Sequence, residues 1–263
     1  MGGVTVSAMG TALVTGGTSG IGATFARQLA DRGHDLVLVA RDAARLEAVA
    51  ADLRTRGVGV EVLAADRAVR ADVQRVADRL ADPARPVDLL VNNAGFGLGG
   101  RILDGDLAEH ERAIDVMARA VLLLSVAAAR AMRSRGRGAI VNVSSVAGFI
   151  SMGSYSAVKS WVTVFSEGLA GELHGSGVTV TALCPGFVHT EFHQRAGVRM
   201  SKLPEQAWID GETVVRQCLR DVAAARVVSV PTLRYRVLVA LARSGPRPAV
   251  RRVSRAIVGM RSR

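Results

Sequence analysis

Short apolar segments alternate along the chain with longer segments in which apolar residues recur at helical spacing. Short apolar segments are typical of buried strands, and the longer amphipathic ones are typical of helices. The predicted strands cover residues 11–15, 34–40, 59–64, 87–91, 140–143, 178–183 and 227–230. After a first helix that ends near residue 32, the predicted helices cover residues 43–55, 69–81, 107–133, 155–174 and 204–225.

Strands that alternate with helices form a parallel sheet through right-handed crossovers, with helices on both faces. With 263 residues, of which 49% are hydrophobic, the chain has enough apolar material for one large domain. We therefore predict an α/β fold, a single domain built on a doubly wound parallel sheet. In such a fold, ligands bind beyond the carboxyl ends of the strands.

The first predicted strand leads into a glycine-rich turn, GGTSGIG at residues 16–22, and then into a helix. Missing side chains let the backbone approach a pyrophosphate, and the unpaired amides and the dipole of the helix favour the anion. Tight turns also use glycine for structural reasons alone. The position between a strand and a helix favours a Rossmann-type nucleotide-binding turn over that alternative.

The residue after the second predicted strand indicates which dinucleotide binds. In dinucleotide-binding folds an acidic residue at this point accepts a hydrogen bond from the free ribose 2′-hydroxyl. This chain has Arg41 instead. Because a guanidinium suits a 2′-phosphate, the sequence favours NADP (NADPH) over NAD. Asp42 follows directly, and the alternative is a solvated arginine that opens the next helix.

Tyr155 and Lys159 lie four residues apart in the predicted helix 155–174, which places the phenol and the ammonium on one face. For a tyrosine to exchange a proton near pH 7, its pKa must fall by roughly 3 units, or about 4 kcal/mol. A neighbouring ammonium in a partly dry site supplies much of that stabilisation, and a cationic cofactor supplies the remainder. On its own the pair is also compatible with a solvated helix face.

Several motifs occur in an order that is typical of one family. They are TGGTSGIG at 15–22, NNAG at 92–95, the strand 140–143 followed by Ser144 and Ser145, Tyr155 with Lys159, and Pro185, Gly186 with Thr190. Over roughly residues 11–195 the chain resembles the short-chain dehydrogenase/reductase family. The combination is far more specific than any single motif.

The resemblance implies a role for each matching residue. Cofactor binding would involve Gly16, Ser19, Gly20, Ile21, Gly22, Asp66, Asn93, Tyr155, Lys159, Pro185, Gly186, Val188 and Thr190. In that scheme Asp66 meets the adenine edge, and Asn93 lies by the adenosine ribose while also supporting its own turn. The catalytic residues would be Ser145, Tyr155 and Lys159, because a developing oxyanion needs a hydrogen-bond donor and an acid. Alternatively, Ser145 only caps a turn, and Ser144 is the serine that donates a hydrogen bond to the substrate oxygen.

Two features depart from the family pattern. Family members usually carry an asparagine in the middle of the helix predicted at 107–133, where this chain has Met117. Methionine cannot relay a proton through its side chain, so either a backbone carbonyl and water suffice or turnover is slowed. The segment from Ser145 to Tyr155 is also shorter than in many members, with Gly148 and Gly153 to close it.

The C-terminal section is strongly basic. After Asp221 there is no acidic residue and there are ten arginines; without these ten, the net charge of +11 falls to about +1. Val250, Val253, Ile257 and Met260 share one helical face, which predicts a basic amphipathic helix. Three interpretations stay open: docking on the domain or a partner subunit, peripheral contact with an anionic membrane, and a solvated tail. Nucleic-acid binding is disfavoured, because the tail has one aromatic residue and no reading module.

The chain therefore divides into a dinucleotide-binding domain at 1–232, with a substrate lid at about 189–212, and an extension at 233–263. Trp161, Val162, Val164, Phe165 and Leu169 are predicted packing residues, and the lid would include Phe192, His193, Met200, Leu203 and Trp208. His189 and His193 have no further metal-type partners at suitable spacing, so we expect loop residues and no metal site.

Cys184 and Cys218 lie far apart, which indicates buried apolar fillers and a reducing compartment. No signal peptide and no membrane span is apparent. We expect a cytoplasmic homo-oligomer, and peripheral contact with the inner membrane surface is one of the open interpretations of the C-terminal extension. The expected activity is NADP(H)-dependent interconversion of a ketone or aldehyde and its alcohol on an apolar substrate. The alternative is a non-catalytic dinucleotide sensor or scaffold on the same fold.

Overall fold

The structure is a computed structural model that describes residues 10–98, 102–103, 105–189, 207–246, 248, 250–252 and 254. Its strands are β1 (Thr11–Thr15), β2 (Asp35–Ala40), β3 (Val60–Ala64), β4 (Leu89–Asn92), β5 (Gly138–Val143), β6 (Val178–Leu183), β7 (Phe187–Val188), β8 (Trp208–Ile209) and β9 (Val228–Ser229). Its α-helices are α1 (Gly20–Ala30), α2 (Ala43–Arg54), α3 (Arg70–Ala81), α4 (Leu107–Ile114), α5 (Ala120–Arg135), α6 (Gly153–Glu172), α7 (Gly211–Ala223) and α8 (Leu233–Ser244).

Seven strands form one parallel sheet in the order β3-β2-β1-β4-β5-β6-β9. From β1 the chain adds β2 and β3 on one side of the sheet, and from β4 it adds β5, β6 and β9 on the other side. The crevice between β1 and β4, at the carboxyl ends of the strands, is therefore the switch point where doubly wound folds bind ligands. β7 and β8 pair separately as a short parallel ribbon. The predicted single-domain α/β fold with a doubly wound parallel sheet is confirmed.

Alternate residues of the strands pack against different helix layers. Ala12 and Val14 of β1 face α1 and α2, whereas Leu13 between them faces the layer of α3 and α5. All three side chains are fully buried, as expected for a strand covered on both faces. Both thiols, of Cys184 and Cys218, are free and fully buried, as predicted.

Three sequence-based expectations differ from the structure. The helix predicted at 107–133 is interrupted by a π-helical turn at Asp115–Arg119. The helix predicted from residue 204 begins instead at Gly211, where the Asp210 carboxylate accepts a hydrogen bond from the Thr213 N–H. Of the predicted packing residues of α6, Trp161 is 37% exposed and Val164 is 63% exposed, because they lie on the face turned away from the sheet.

Candidate active site

The glycine turn after β1 is pressed against the segment that follows β4. Gly16 has a φ of +68°, and a Cβ there would lie 2.5 Å from the Cβ of Ala94. A Cβ on Gly22 would lie 2.1 Å from the carbonyl oxygen of Gly16. Side chains at either position would displace the turn, so these two glycines are required by close approach. The turn delivers the N-terminus of α1, with the N–H groups of its first turn, to the carboxyl edge of the sheet.

Asn93 and Thr15 hold the two neighbouring loops together. The Asn93 side-chain amide donates to the carbonyls of Thr15, at 3.1 Å, and of Gly16, at 3.3 Å. The Thr15 hydroxyl accepts from the backbone N–H groups of Asn93, at 3.1 Å, and Ala94, at 3.3 Å. The predicted turn-supporting role of Asn93 is therefore visible in the structure, and Thr15 is a partner that the sequence patterns do not single out.

Ser19 and Ile21 lie on the half-exposed rim of the same turn. Ser19 precedes α1 in the N-cap position, but among the described residues its side chain makes no cap hydrogen bond to the helix. Its hydroxyl and the N–H groups of Gly20 and Ile21 are suitable donors for a phosphate. A dinucleotide pyrophosphate therefore fits this turn.

Three arginines surround Asp66 at the carboxyl ends of β2 and β3. The Asp66 carboxylate accepts hydrogen bonds from the Ala68 N–H, at 2.9 Å, and from Arg112, at 2.7 Å. Burial raises the pKa of the Asp66 carboxyl, but these two donors and the charge on Arg41 outweigh it, so the net pKa lies below the usual value. Asp66, which the family resemblance assigns to the adenine edge, is thus already paired with Arg112 within the protein.

Arg67, the next residue, lies inside the cleft. Its guanidinium donates to the carbonyl of Ala94 at 3.1 Å and approaches the Thr15 hydroxyl at 3.4 Å. Desolvation lowers the pKa of Arg67 to about 10, although the charge on Asp66 opposes the shift. Arg41 itself follows β2 directly and is exposed. The end of the cleft at β2 and β3 therefore has an excess of positive charge, which suits a phosphate group.

The two serines after β5 have different environments. The Ser144 side chain is buried, donates to the carbonyl of Lys159 at 2.6 Å and lies 2.8 Å from the Thr163 hydroxyl. Ser145 is half-buried, caps the short 3₁₀ turn Val146–Phe149 and accepts from the Ala147 N–H at 3.1 Å. Ser144 is therefore committed to α6, whereas Ser145 lies at the cleft.

Lys159 is buried, with 4% exposure, beneath the half-buried Tyr155. Its ammonium donates to the carbonyl of Val143 at 2.8 Å and lies 5.8 Å from the centroid of the Tyr155 ring. Burial lowers the pKa of Lys159 from 10.5 to about 8, and the charge on Arg67 adds to the shift. The ammonium is thus mostly charged at pH 7 and is held close to the phenol by the end of β5.

Met117 lies in the middle of the π-helical turn and is 1% exposed. A Cβ on Gly95 would lie 2.9 Å from the Met117 sulfur and 3.6 Å from the Lys159 nitrogen, so all three groups meet behind the site. π turns shift the backbone hydrogen-bonding register by one residue and occur frequently at functional sites. Met117, which replaces the usual asparagine of the family, thus lies where the helix changes from α-helical to π-helical geometry.

The shortened segment before Tyr155 packs tightly on α6. A Cβ on Gly148 would lie 2.9 Å from the backbone nitrogen of Ser160 and the carbonyl carbon of Lys159. Only glycine permits this approach without a shift of the 3₁₀ turn. At the start of α6, His110 lies 2.7 Å from the Ser154 hydroxyl and links α4 to the residue before Tyr155.

The remaining predicted cofactor residues follow β6. Gly186 lies against the ring of Tyr235 from α8, and Val188 in β7 is buried. Thr190 and the predicted lid residues Phe192, His193, Met200 and Leu203 lie outside the described residues. His189 stacks on Trp208 with ring centroids 4.5 Å apart.

The described sequence-predicted residues converge on one edge of the sheet, around the ends of β1 to β6. Four further residues that shape the site were not predicted: Thr15, Arg67, Arg112 and Tyr235. The glycine turn, the basic end of the cleft at β2 and β3, and the Tyr155–Lys159 pair together define the site of a dinucleotide-dependent oxidoreductase.

Comparison with known proteins agrees with this class. The family profile described as short chain dehydrogenase matches residues 10–200. Galactitol 2-dehydrogenase (L-tagatose-forming) from Cereibacter sphaeroides is 36% identical over 206 residues, covering 76% of this chain and 78% of that protein. The chain belongs to the short-chain dehydrogenase/reductase family and is an NAD(P)-dependent oxidoreductase that acts on CH–OH or C=O groups.

Two solved structures are similar over most of their length. A short-chain dehydrogenase from Sphingobium yanoikuyae in complex with NADPH superimposes with a TM-score of 0.82 at 41% identity, covering 90% of this chain and 94% of that one. The bulky-bulky ketone specific alcohol dehydrogenase from Comamonas testosteroni gives a TM-score of 0.77 at 33% identity, with 90% and 92% covered.

Neither a metal cluster nor a membrane-spanning helix is found among the described residues. No group of three or more histidine, cysteine, aspartate or glutamate side chains is arranged to hold a metal ion within the described part of the chain. Among the helices of that same part, none is both long enough and apolar enough to cross a membrane.

Proposed function

We propose that this chain reduces an apolar ketone or aldehyde with NADPH, or catalyses the reverse oxidation, with Tyr155 as the acid or base. The observation that carries the proposal is the position of Lys159, buried against the carbonyl of Val143 and one helical turn from Tyr155. A fixed ammonium at that position favours the phenolate form of Tyr155. This is the electrostatic arrangement that a tyrosine needs to exchange protons near neutral pH.

The bound nicotinamide would supply or accept the hydride. The protein would stabilise the negative charge that develops on the substrate oxygen, with Ser145 as hydrogen-bond donor and Tyr155 as proton donor. Ser145 is the serine suited to this role, because the Ser144 hydroxyl is buried against the backbone of α6. Ser144 would instead hold α6, and with it Tyr155, at the end of β5.

NADP(H) is the proposed cofactor because of the charges at the adenosine end. Arg41 is exposed directly after β2, and Arg67 and Arg112 lie nearby, with Asp66 as the carboxylate they share. A 2′-phosphate would meet this positive charge. The Sphingobium relative, which was solved in complex with NADPH, supports the same preference.

An apolar substrate is proposed from the side chains near Tyr155. Ile102 is 52% exposed and lies 4.0 Å from a Cβ built on Gly153, at the start of α6. Its neighbour Leu103 is 91% exposed. Large apolar side chains exposed beside a cleft indicate an apolar ligand, and the Comamonas relative is described as specific for bulky-bulky ketones.

The experiment is to mix the purified chain with NADPH and a panel of ketones and aldehydes of increasing apolar size, and to follow NADPH absorbance. We expect turnover that increases from small polar to bulky apolar carbonyls. NADPH binding without turnover on any member would favour the second candidate, a dinucleotide sensor. The observation that favours the sensor is Met117, which cannot relay a proton from Lys159 through its side chain.

We also propose that the protein is a cytoplasmic homo-oligomer, as its sequence indicates. Peripheral membrane contact is supported by exposed apolar residues on α8, which are Leu233, Val237, Leu238 and Leu241. They belong to a C-terminal section with no acidic residue after Asp221, so an anionic lipid surface is the proposed partner.

A further inference from the structure

Helix α8 contacts the loop after β6 through the side chain of Tyr235. The residue is 6% exposed. A Cβ built on Gly186 would lie 2.2 Å from carbons of the Tyr235 ring, so the ring is packed directly on the glycine backbone. No other residue type fits at Gly186 while Tyr235 stays in place.

The Tyr235 hydroxyl bridges two strands of the small ribbon. It donates to the carbonyl of Ala207 at 2.8 Å and accepts from the Phe187 N–H at 3.3 Å. Phe187 begins β7, and Ala207 precedes β8, which pairs with β7. One phenol therefore fixes the residues on both sides of the ribbon, next to Val188.

The rest of α8 is anchored to the body of the domain. Arg234 donates to the carbonyl of Trp208 at 2.6 Å, and Arg236 donates to the carbonyl of Val230 at 2.8 Å. Arg243 pairs with Glu167 of α6 at 2.6 Å and lies over the ring of Phe149. These arginines of the basic extension hold the helix that carries Tyr235, in addition to giving the surface its charge.

We propose that Tyr235 is a positioning residue for the nicotinamide half of the cofactor, and that the C-terminal extension serves the active site through it. The inference rests on the proposed function, because it takes the Gly186–Val188 loop as the wall of the nicotinamide pocket. Tyr235 lies behind that loop and acts on it through Gly186 and Phe187. Its loss should therefore affect the nicotinamide half of the ligand and leave the adenosine half unchanged.

The test compares two ligands on the full-length chain. NADPH occupies both halves of the cofactor site, whereas adenosine 2′,5′-bisphosphate occupies only the adenosine half. For Tyr235→Phe we expect the Kd of NADPH to rise about fivefold, the factor that corresponds to one net hydrogen bond. The Kd of adenosine 2′,5′-bisphosphate should equal that of the wild type. In turnover, kcat should fall together with the weaker NADPH binding, because the hydride donor is less well placed.

Two control variants separate positioning from general loss of structure. Val237→Ala changes an exposed side chain of the same helix and should leave both Kd values unchanged. Val239→Ala removes apolar contact from a buried residue one turn further along the helix and should lower the Tm without changing the ratio of the two Kd values.

The inference would be overturned if Tyr235→Phe bound NADPH like the wild type, or if both ligands weakened in parallel. A Val239→Ala variant that reproduced the selective loss of NADPH affinity would also overturn it. Failure of the proposed function gives a different result, because the wild-type protein would then bind neither NADPH nor adenosine 2′,5′-bisphosphate. That result would also remove the basis of the inference about Tyr235.

Discussion

Replacing Lys159 with methionine should reveal the free-energy cost of burying its ammonium. The pKa of Lys159 is lowered from 10.5 to about 8 by burial. Between these two pH values the unfolded chain binds more protons at this position than the folded chain, so stability rises with pH. The full shift corresponds to about 3 kcal/mol, and the part gained between pH 7 and pH 9.5 is about 2 kcal/mol.

Lys159→Met lacks this titration. At pH 7 the substitution raises the free energy of unfolding because it removes a buried charge. It also lowers this free energy by about 1–3 kcal/mol, because the carbonyl of Val143 loses its hydrogen-bond donor. We therefore expect similar unfolding free energies for the two proteins at pH 7. The unfolding free energy of the wild type minus that of the variant should be about 2 kcal/mol larger at pH 9.5 than at pH 7.

The assay is urea unfolding of the cofactor-free proteins at both pH values, with the m-values compared to confirm that the same transition is measured. A difference in unfolding free energy that does not change with pH would show that Lys159 is not desolvated. The electrostatic argument for Tyr155 as the acid or base would then be wrong.

Three further predictions follow from the same structure. Arg41→Ala should raise the Kd of NADPH about tenfold or more and leave that of NADH unchanged, since only NADPH has the 2′-phosphate; equal effects on both cofactors in fluorescence titration would refute the assignment. Ser145→Ala should lower kcat by about 10²-fold or more with little change in Tm, whereas Ser144→Ala should lower the unfolding free energy by about 1–3 kcal/mol; the opposite pattern would make Ser144 the substrate-binding serine. Leu238→Glu should reduce co-sedimentation with vesicles that contain anionic lipid, and sedimentation that is the same for wild type and variant would remove the membrane contact.

The sheet was the part of the structure that the sequence predicted best. Strands β1 and β6 have the predicted bounds, because both are rich in apolar and β-branched residues and each follows a glycine. The carboxyl-edge location of the site followed from the alternation of strands and helices alone. The helix ends were less accurate, and α7 begins at Gly211 because Asp210 caps it there.

The π turn at Asp115–Arg119 could not be predicted from the pattern. Its residues have the same apolar spacing as the helices on either side, and only the backbone register differs. The sequence nevertheless located the unusual position, since Met117 is where the family asparagine would stand. Two alternatives follow for proton transfer from Lys159 to water. Either a backbone carbonyl and water relay the proton, or the turnover is slower.

The residues that sequence reasoning missed act through contacts distant along the chain. Arg67 donates to Ala94, 27 residues away, and Tyr235 contacts Phe187, 48 residues away. Neither belongs to a local motif, so no spacing rule indicates its partner. One signal was present for Tyr235, which is the only aromatic residue in the arginine-rich C-terminal section. An aromatic residue there would more naturally suggest a packing anchor than a tail in solvent.

The central claim is that Tyr155 exchanges the proton, whereas most of the cofactor affinity comes from other residues of the site. The most direct test is Tyr155→Phe, measured for turnover of the best carbonyl substrate and for NADPH affinity. The account predicts a kcat lower by roughly 10²–10⁴-fold with a much smaller change in the Kd for NADPH. A variant that retains wild-type turnover would contradict it.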